Sequence, residues 1–130
     1  MVQRHLVSLG TVWEPFAGYS RAGRVGHWVS VAGTTAAHKD AGAVGGNDIA
    51  AQAREALRRI AIALEQASTG LQGVVRTRIL VTDISRWREV GQVHGGVFGG
   101  AVRPATSTLE VSALIDLALL VEIEADGIVP

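Results

Sequence analysis

The sequence predicts an α+β domain in which two helices cover one face of a mixed sheet. Apolar residues recur at three- and four-residue steps from Ile49 to Ala67, which is typical of an amphipathic helix. Apolar and polar residues alternate over 74–82 and again over 120–128, which is typical of strands with one buried face. A helical pattern between strands that alternate in this way favours a two-layer fold.

The first half of the chain predicts a hairpin and a long helix. Strands at Tyr19–Ala22 and His27–Ala32 are expected to pair across Gly23-Arg24. The Gly- and Ala-rich segment 34–46 is the one loop with a flexible composition, and it is long enough to cover a cleft. Asn47-Asp48 then supplies a polar cap for the helix, which is expected to end near 68–70.

The second half predicts strand, helix, strand and strand. Arg76 and Arg78 share one face of the strand at 74–82, so that face needs water or a partner. Ser85 is expected to cap a helix that continues to Phe98. Glycines at 91, 95 and 96 each weaken this helix by up to about 1 kcal/mol relative to alanine, which points to close packing or to an approaching ligand. Strands at 106–111 and 120–128 complete the order β-β-α-β-α-β-β.

The size and composition predict one domain over 1–130 that assembles with copies of itself. With 130 residues and 48% hydrophobic content, the chain can bury about two thirds of its unfolded surface. About five strands with apolar residues on both faces, and only two helices, leave one sheet face uncovered. A homo-oligomer that packs sheet against sheet would cover that face.

Several classes of partner are not supported. Twelve basic and twelve acidic residues cancel, so no long-range field favours nucleic acid as a main partner. No apolar run reaches the length of a membrane span or a signal peptide, which predicts no membrane association and a cytoplasmic location.

No cofactor and no metal site are predicted. The absence of cysteine removes disulfides, thiolate nucleophiles and cysteine-based zinc sites. The four histidines lack metal-ligand spacing, and the glycine-rich segments match no phosphate-binding loop.

Three carboxylates are expected to share one face of the last strand. Glu122, Glu124 and Asp126 alternate with apolar residues, so their side chains point the same way. One interpretation is a solvated face. The other places one carboxylate in an interfacial cleft, where desolvation and like charge raise its pKa and suit it to proton transfer.

A set of short motifs, in a characteristic order and spacing, points to a known family. Tyr19 is followed fourteen residues later by Gly33, and Pro104-Ala105 precedes Val121-Glu122-Ile123-Glu124 near the C-terminus. The other matching motifs are Ala51-Gln52-Ala53-Arg54, Val74-Val75-Arg76-Thr77, Thr82-Asp83 and Phe98. Over nearly its whole length the chain resembles the Rid (YjgF) family of enamine and imine deaminases.

The resemblance implies a chorismate-mutase-like fold and a homotrimer. Its sheets would form a central barrel with the helices outside, and a small-molecule metabolite would bind in clefts between subunits. In the deaminases an arginine directly after Pro-Ala anchors the carboxylate of a 2-imino or 2-enamino acid. A glutamate matching Glu122 activates water, which releases ammonia and a 2-oxo acid. Tyr19 and backbone groups near Gly33 and Ala105 would line the pocket.

The chain departs from this pattern at four pocket positions. Thr106 replaces the anchoring arginine and Thr108 a frequent cysteine, while Ala32 and Gly91 stand where serine and asparagine are common. Loss of an arginine–carboxylate contact removes about 1.5–3 kcal/mol of anchoring. The usual 2-imino acid is therefore expected to bind differently or not at all.

Two arginines are candidates to supply the missing charge. Arg103 lies three residues before Thr106, with a solvated loop cation as the alternative. Arg78 is the other, with a structural ion pair to Glu110 or Glu124 as the alternative. His94 is either a pocket residue or a packed histidine.

The predicted function is therefore a Rid-like hydrolase that cleaves a C=N bond of a reactive metabolite, with Glu122 as the catalytic residue. An alternative is a non-catalytic trimer that binds a small metabolite in the same clefts. A third is the ribonuclease or translation-inhibitor activity associated with some family members, which zero net charge does not favour. The predicted substrate-binding residues are Tyr19, Ala32, Gly33, Arg78, Gly91, His94, Arg103, Ala105, Thr106 and Thr108.

Overall fold

The computed structural model describes residues 3–130 as a six-stranded mixed sheet with two long helices packed on it. The first two residues of the predicted domain lie outside this range. The strands are β1 (Arg4–Val7), β2 (Ala22–Val25), β3 (Trp28–Thr34), β4 (Val74–Val81), β5 (Ala105–Glu110) and β6 (Val121–Ile128). The helices are α1 (Trp13–Ala17), α2 (Ile49–Gln66) and α3 (Trp87–Phe98).

The strand order across the sheet is β1-β2-β3-β6-β4-β5. Only the β4–β5 pair is parallel among the described strands, and α3 makes the crossover between them. The last strand of the chain thus lies between β3 and β4, near the centre of the sheet. Helix α2 packs against β3 and β6, and the predicted α+β class is confirmed.

The alternation along β6 builds the core. Val121, Ile123 and Ala125 are fully buried beneath the helices, whereas the intervening carboxylates lie on the opposite, outer face. The buried side of α2 completes this core with Ile49, Ala53, Ala56, Leu57, Ile60, Ala63 and Leu64. Asp48 caps α2 by accepting a hydrogen bond from the backbone N–H of Ala51, as the sequence predicts.

Irregular pairing changes the predicted alternation of β4. A register shift against β6 between Val74 and Arg76 turns Val75 outward. Val75 is 46% exposed and Val74 only 4%, whereas Val75 was expected on the core face with Thr77. From Thr77 onward the predicted alternation of β4 is confirmed, with Thr77, Ile79 and Val81 buried on the core face.

Two boundaries differ from the predictions, and two elements were not predicted. The hairpin turn lies at Gly26-His27, with Gly26 at φ 62°, and Gly23-Arg24 belong to β2. Strand β1 and the short helix α1 were not predicted. Ser85 was expected to cap the second helix, but it lies in a 3-10 turn (Ile84–Arg86) that precedes α3. Asp83 caps this turn, because its Oδ1 accepts hydrogen bonds from the backbone N–H and the hydroxyl of Ser85.

The glycines of α3 are not explained by packing within the chain. A Cβ added at Gly95 or Gly96 would meet no atom within 4 Å, and one at Gly91 would meet only the ring of Trp87. The expectation of close packing is therefore wrong within the chain, and the bare backbone of α3 faces outward.

The outer face of the sheet carries exposed apolar side chains. Leu6 is 61% exposed, Trp28 47% and Leu109 53%. Large apolar groups in these positions favour an interface with another molecule. No helix within residues 3–130 has the length and apolar character needed to cross a membrane.

A buried glutamine ties the segment before α2 to the segment before β6. The side-chain amide of Gln52 donates to the carbonyls of Gly46 (2.7 Å) and Ala118 (2.9 Å). Its carbonyl oxygen accepts from the backbone N–H of Leu120 at 2.9 Å. Gln52 is fully buried, so water does not compete for these bonds.

We expect Gln52→Ala to lower the free energy of unfolding by roughly 3 kcal/mol or more, because three hydrogen bonds are lost and their backbone partners stay buried. Chemical denaturation measures the change. Arg54→Ala, at an exposed position of the same helix, is the control and should change stability by less than about 0.5 kcal/mol. Equal effects of the two substitutions would show that the Gln52 contacts contribute little.

Candidate functional site

Glu122 lies over Gly33 on the outer face of the sheet. The pairing of β3 with β6 shifts register between Val31 and Thr34, and Gly33 lies in this irregular stretch beside Ala32. A Cβ added at Gly33 would lie 2.7 Å from Oε1 of Glu122 and 2.9 Å from its Cδ. Glycine is therefore required for the carboxyl to occupy this position.

Arg21, which the sequence analysis did not select, lies beside this pair. Its Nη2 donates to the carbonyl oxygen of Gly33 at 2.9 Å. Its guanidinium carbon lies 5.4 Å from the ring centroid of Tyr19, a cation–π distance. The Nε of Arg21 is buried and has no hydrogen-bond partner among residues 3–130, an arrangement that costs about 1–3 kcal/mol.

One signal in the sequence could have identified Arg21. It lies two residues after Tyr19 and directly before Ala22, which is buried under the helices. Alternation along an extended segment therefore directs its side chain to the outer face, where Glu122 lies.

The electrostatic environment of Glu122 is unusual for an acidic side chain. Burial raises the pKa of the Glu122 carboxyl above its ordinary value, the neighbouring Glu124 carboxylate adds to the increase, and Arg21 opposes it. None of the six ion pairs among the described residues includes Arg21 or Glu122. A partly buried carboxyl that retains its proton to higher pH is better suited to donate a proton as well as to accept one.

A second group of polar residues lies where β4 and β5 meet α3. The hydroxyl of the buried Thr77 lies 2.7 Å from Oγ1 of Thr106 and 2.8 Å from Nε2 of His94. Thr106 also donates to the carbonyl of Pro104 at 3.0 Å. Because each hydroxyl has one proton, Thr77 then donates to Thr106 and accepts from an Nε2–H of His94.

The surroundings of His94 favour its neutral form. Burial lowers the pKa of its imidazole, and its ring packs against Phe98 with centroids 4.7 Å apart. The two interpretations of His94, pocket residue and packed histidine, are therefore compatible, because its hydrogen-bonded partner Thr77 in turn bonds Thr106.

The two groups lie on opposite faces of the sheet. Thr106 and Thr108 are level with Thr77 and Ile79, whose side chains point toward the helices. Glu122 points to the outer face, and Ala105 is on that face as well but at the edge strand β5. One chain therefore does not bring Thr106 and Glu122 together.

Neither arginine expected to replace the missing anchor contacts Glu122. Nη1 of Arg78 lies 3.0 Å from Oδ2 of Asp126 and 3.7 Å from Oε1 of Glu124, so it forms structural ion pairs. Glu124 was one expected partner. The other, Glu110, instead accepts a hydrogen bond from the backbone N–H of Ile84.

Arg103 lies in the turn before β5. It is exposed, has φ 39° and, within the part of the chain that the structure describes, its side chain makes no hydrogen bond or ion pair. Residues 3–130 also contain no group of three histidine, aspartate or glutamate side chains suited to hold a metal ion.

Comparison with known proteins gives the family. The model of the family described as endoribonuclease L-PSP matches residues 11–129. The chain belongs to the YjgF (Rid) family. A solved YjgF/YER057c/UK114 family structure from Mycobacterium tuberculosis is 60% identical, covers 98% of this chain and 100% of its own, and has a TM-score of 0.88.

Two further relatives extend the YjgF comparison. A Rid-family protein from Yersinia pestis is 30% identical, covers 98% of this chain and 100% of its own, and has a TM-score of 0.85. A rat protein named 2-iminobutanoate/2-iminopropanoate deaminase is 27% identical over 85% of this chain and 80% of its own length. Membership of the YjgF family and its fold, both expected from the sequence motifs, are thereby confirmed.

We expect Glu122→Gln to raise the melting temperature at pH 8. The folded-state pKa of Glu122 lies above its ordinary value of 4.5, so its ionised form lowers stability at high pH. This cost fades as the pH falls through the folded-state pKa and is absent below 4.5. The gain from the substitution should therefore disappear in acid.

Glu65→Gln is the control, because it removes a carboxylate from an exposed position of α2, away from Glu122. It should leave the melting temperature nearly unchanged at pH 8. A Glu122→Gln effect that is the same at pH 8 and pH 4 would contradict the assigned environment of Glu122.

Proposed function

We propose that this protein is a small-molecule hydrolase of the enamine/imine deaminase type, with Glu122 as the catalytic residue. The observation that carries the proposal is the partly buried Glu122 carboxyl, held against Gly33 beside Tyr19 and Arg21. The rat relative named as an imine deaminase supports the reaction class.

The active unit in this proposal is a homotrimer with a cleft between neighbouring subunits. The group around Glu122 and the group around Thr106 face opposite sides of one sheet, so only a second copy can place both on one ligand. The exposed apolar residues of the outer face, such as Leu6 and Leu109, favour the same assembly.

The proposed reaction is hydrolysis of a C=N bond. The oxygen of water adds to the imine carbon while Glu122 accepts a proton from that water. Glu122 returns this proton to the nitrogen, which gives a carbinolamine. It then accepts the proton of the new hydroxyl and passes it to the amino group, so that the C–N bond breaks, ammonia leaves and a carbonyl forms. A carboxyl whose pKa is raised toward neutrality suits both steps.

A second candidate is a protein that binds a small metabolite in the same cleft without turnover. Thr106 favours this alternative, because a neutral hydroxyl stands where the deaminases of the family have an anchoring arginine. Ribonuclease activity, which the name of the matching family model suggests, is less supported, because zero net charge supplies no general attraction for phosphates.

The first test is hydrolysis of imines generated in situ by an amino-acid oxidase. The wild-type protein should reduce the amount of imine that semicarbazide intercepts. Glu122→Gln should lower this activity at least about hundredfold, as expected for a general acid–base group. Gly33→Ala should lower it as well, because the added methyl displaces the carboxyl of Glu122.

Glu65→Gln, at an exposed position of α2, is the control and should retain activity. If no amino acid in a broad set yields an imine that the folded wild-type protein hydrolyses, the binding protein becomes the better proposal. Activity that survives Glu122→Gln would instead refute the role of Glu122.

A second test restores the missing anchor. We expect Thr106→Arg to raise kcat/KM on 2-imino acids roughly tenfold or more, because a guanidinium can bind the substrate carboxylate through two hydrogen bonds. Thr106→Lys should give a smaller gain, since lysine lacks the planar fork. No gain in a folded Thr106→Arg protein would show that the shape of the pocket excludes these substrates.

A further inference from the structure

We propose that Arg21 is the anion-binding residue of the Glu122 site and that its ligand is a small carboxylate. The inference rests on the proposed ligand cleft and deepens it, because it names the class of ligand and the residue that selects it. The site residues expected from the family resemblance do not include Arg21.

The guanidinium of Arg21 is held in place, and some of its N–H groups remain free to donate hydrogen bonds. One nitrogen, Nη2, donates to the carbonyl of Gly33, and the guanidinium carbon lies 5.4 Å from the centroid of the Tyr19 ring. The other terminal nitrogen, Nη1, makes no hydrogen bond to residues 3–130 and, unlike Nε, is not enclosed by protein. A ligand oxygen can therefore reach it without moving the side chain.

The charge of Arg21 is not balanced by a direct partner. Of the six partly buried arginines, Arg59, Arg78 and Arg86 form an ion pair with a carboxylate, and Arg21, Arg24 and Arg76 form none within residues 3–130. Arg24 donates to backbone carbonyls and Arg76 to the hydroxyl of Ser107. Arg21 is the one of these three whose charge acts on Glu122. Arg21 has no carboxylate within 4 Å in the described chain, although Glu122 is close enough for the two charges to interact. A partly buried cation beside an open surface is a site for an anion.

The position of Arg21 also determines the orientation of a ligand bound in the proposed cleft. In the wild-type protein its carboxylate would lie against Tyr19, Gly33 and Glu122, whereas an arginine introduced at residue 106 of the neighbouring copy would be a second anchor. The opposite end would face the hydroxyls of Thr106 and Thr108 from the neighbouring copy. These neutral groups suit an uncharged polar end of a ligand.

The test compares two probes that differ in charge and little in shape. Pyruvate is the 2-oxo acid that hydrolysis of the smallest 2-imino acid with a side chain would release, and pyruvamide is its neutral analogue. Dissociation constants for both are measured by titrating ¹⁵N-labelled full-length protein and following its NMR spectrum. The wild-type protein should bind pyruvate more tightly than pyruvamide.

Arg21→Gln should weaken pyruvate binding roughly tenfold to hundredfold and leave pyruvamide binding within about twofold. The preference for the anion then disappears. Arg21→Lys should retain part of the preference, because lysine keeps the positive charge but lacks the planar guanidinium that can form two parallel hydrogen bonds. Thr106→Val should weaken both probes alike and leave their ratio unchanged.

Arg54→Gln is the matched control. It removes one arginine charge from an exposed position on α2 and should leave both constants as in the wild type. Arg103→Gln tests the rival anchor before β5. If it abolishes the anion preference and Arg21→Gln does not, the inference is overturned, as it is if the wild-type protein binds both probes equally.

A wild-type measurement covers the case in which Arg21→Gln does not fold. Pyruvate should shift the Nε–H resonance of Arg21 in the NMR spectrum, and the absence of a shift at saturation would refute the inference. If pyruvate binding depends on Arg21 but no imine is hydrolysed, the proposed function is refuted and the inference about Arg21 stands. If 2-imino acids are hydrolysed and Arg21→Gln leaves their KM unchanged, the inference about Arg21 is refuted and the proposed function stands.

Discussion

The alternation of buried and charged residues along β6 is the constraint on which the core and the site both depend. Ile123 and Ala125 are fully buried beneath α2, and the intervening carboxylates point away from the helices. A slip of one residue would bury these carboxylates and expose the apolar side chains, so the register of β6 is strongly specified. The same register sets Glu122 against Gly33, because β3 and β6 are paired neighbours.

The central position of β6 also divides the candidate site. Glu122 belongs to the outer face, while the hydrogen-bonded set of Thr106, Thr77 and His94 lies on the side of the helices. Each group is held in place by its own hydrogen bonds. The proposed assembly of several copies would account for both the exposed apolar outer face and the separation of the two polar groups.

The distribution of charge distinguishes this chain from what the resemblance implies. The position after Pro104-Ala105 is neutral, and the hydroxyl of Thr106 is engaged with Thr77 and a backbone carbonyl. Arg78 is neutralised by Asp126 and Glu124. The partly buried cation that remains near Glu122 is Arg21. The positive charge and the carboxyl with the raised pKa therefore lie on the same side of the proposed cleft.

The sequence by itself determined α2, the main part of β4 and the faces of β6, because burial repeats with the local period of a helix or a strand. It did not reveal β1, whose Arg4-His5 start is polar and whose partner β2 lies far along the chain. The sequence also predicted that the Glu122 carboxyl lies on the face of β6 opposite the core, but not that Arg21 lies beside it. This proximity depends on the irregular stretch at Gly33, where β3 pairs with β6 about ninety residues later. Only the tertiary structure decided it, because register between distant strands is set by their mutual packing and not by local periodicity.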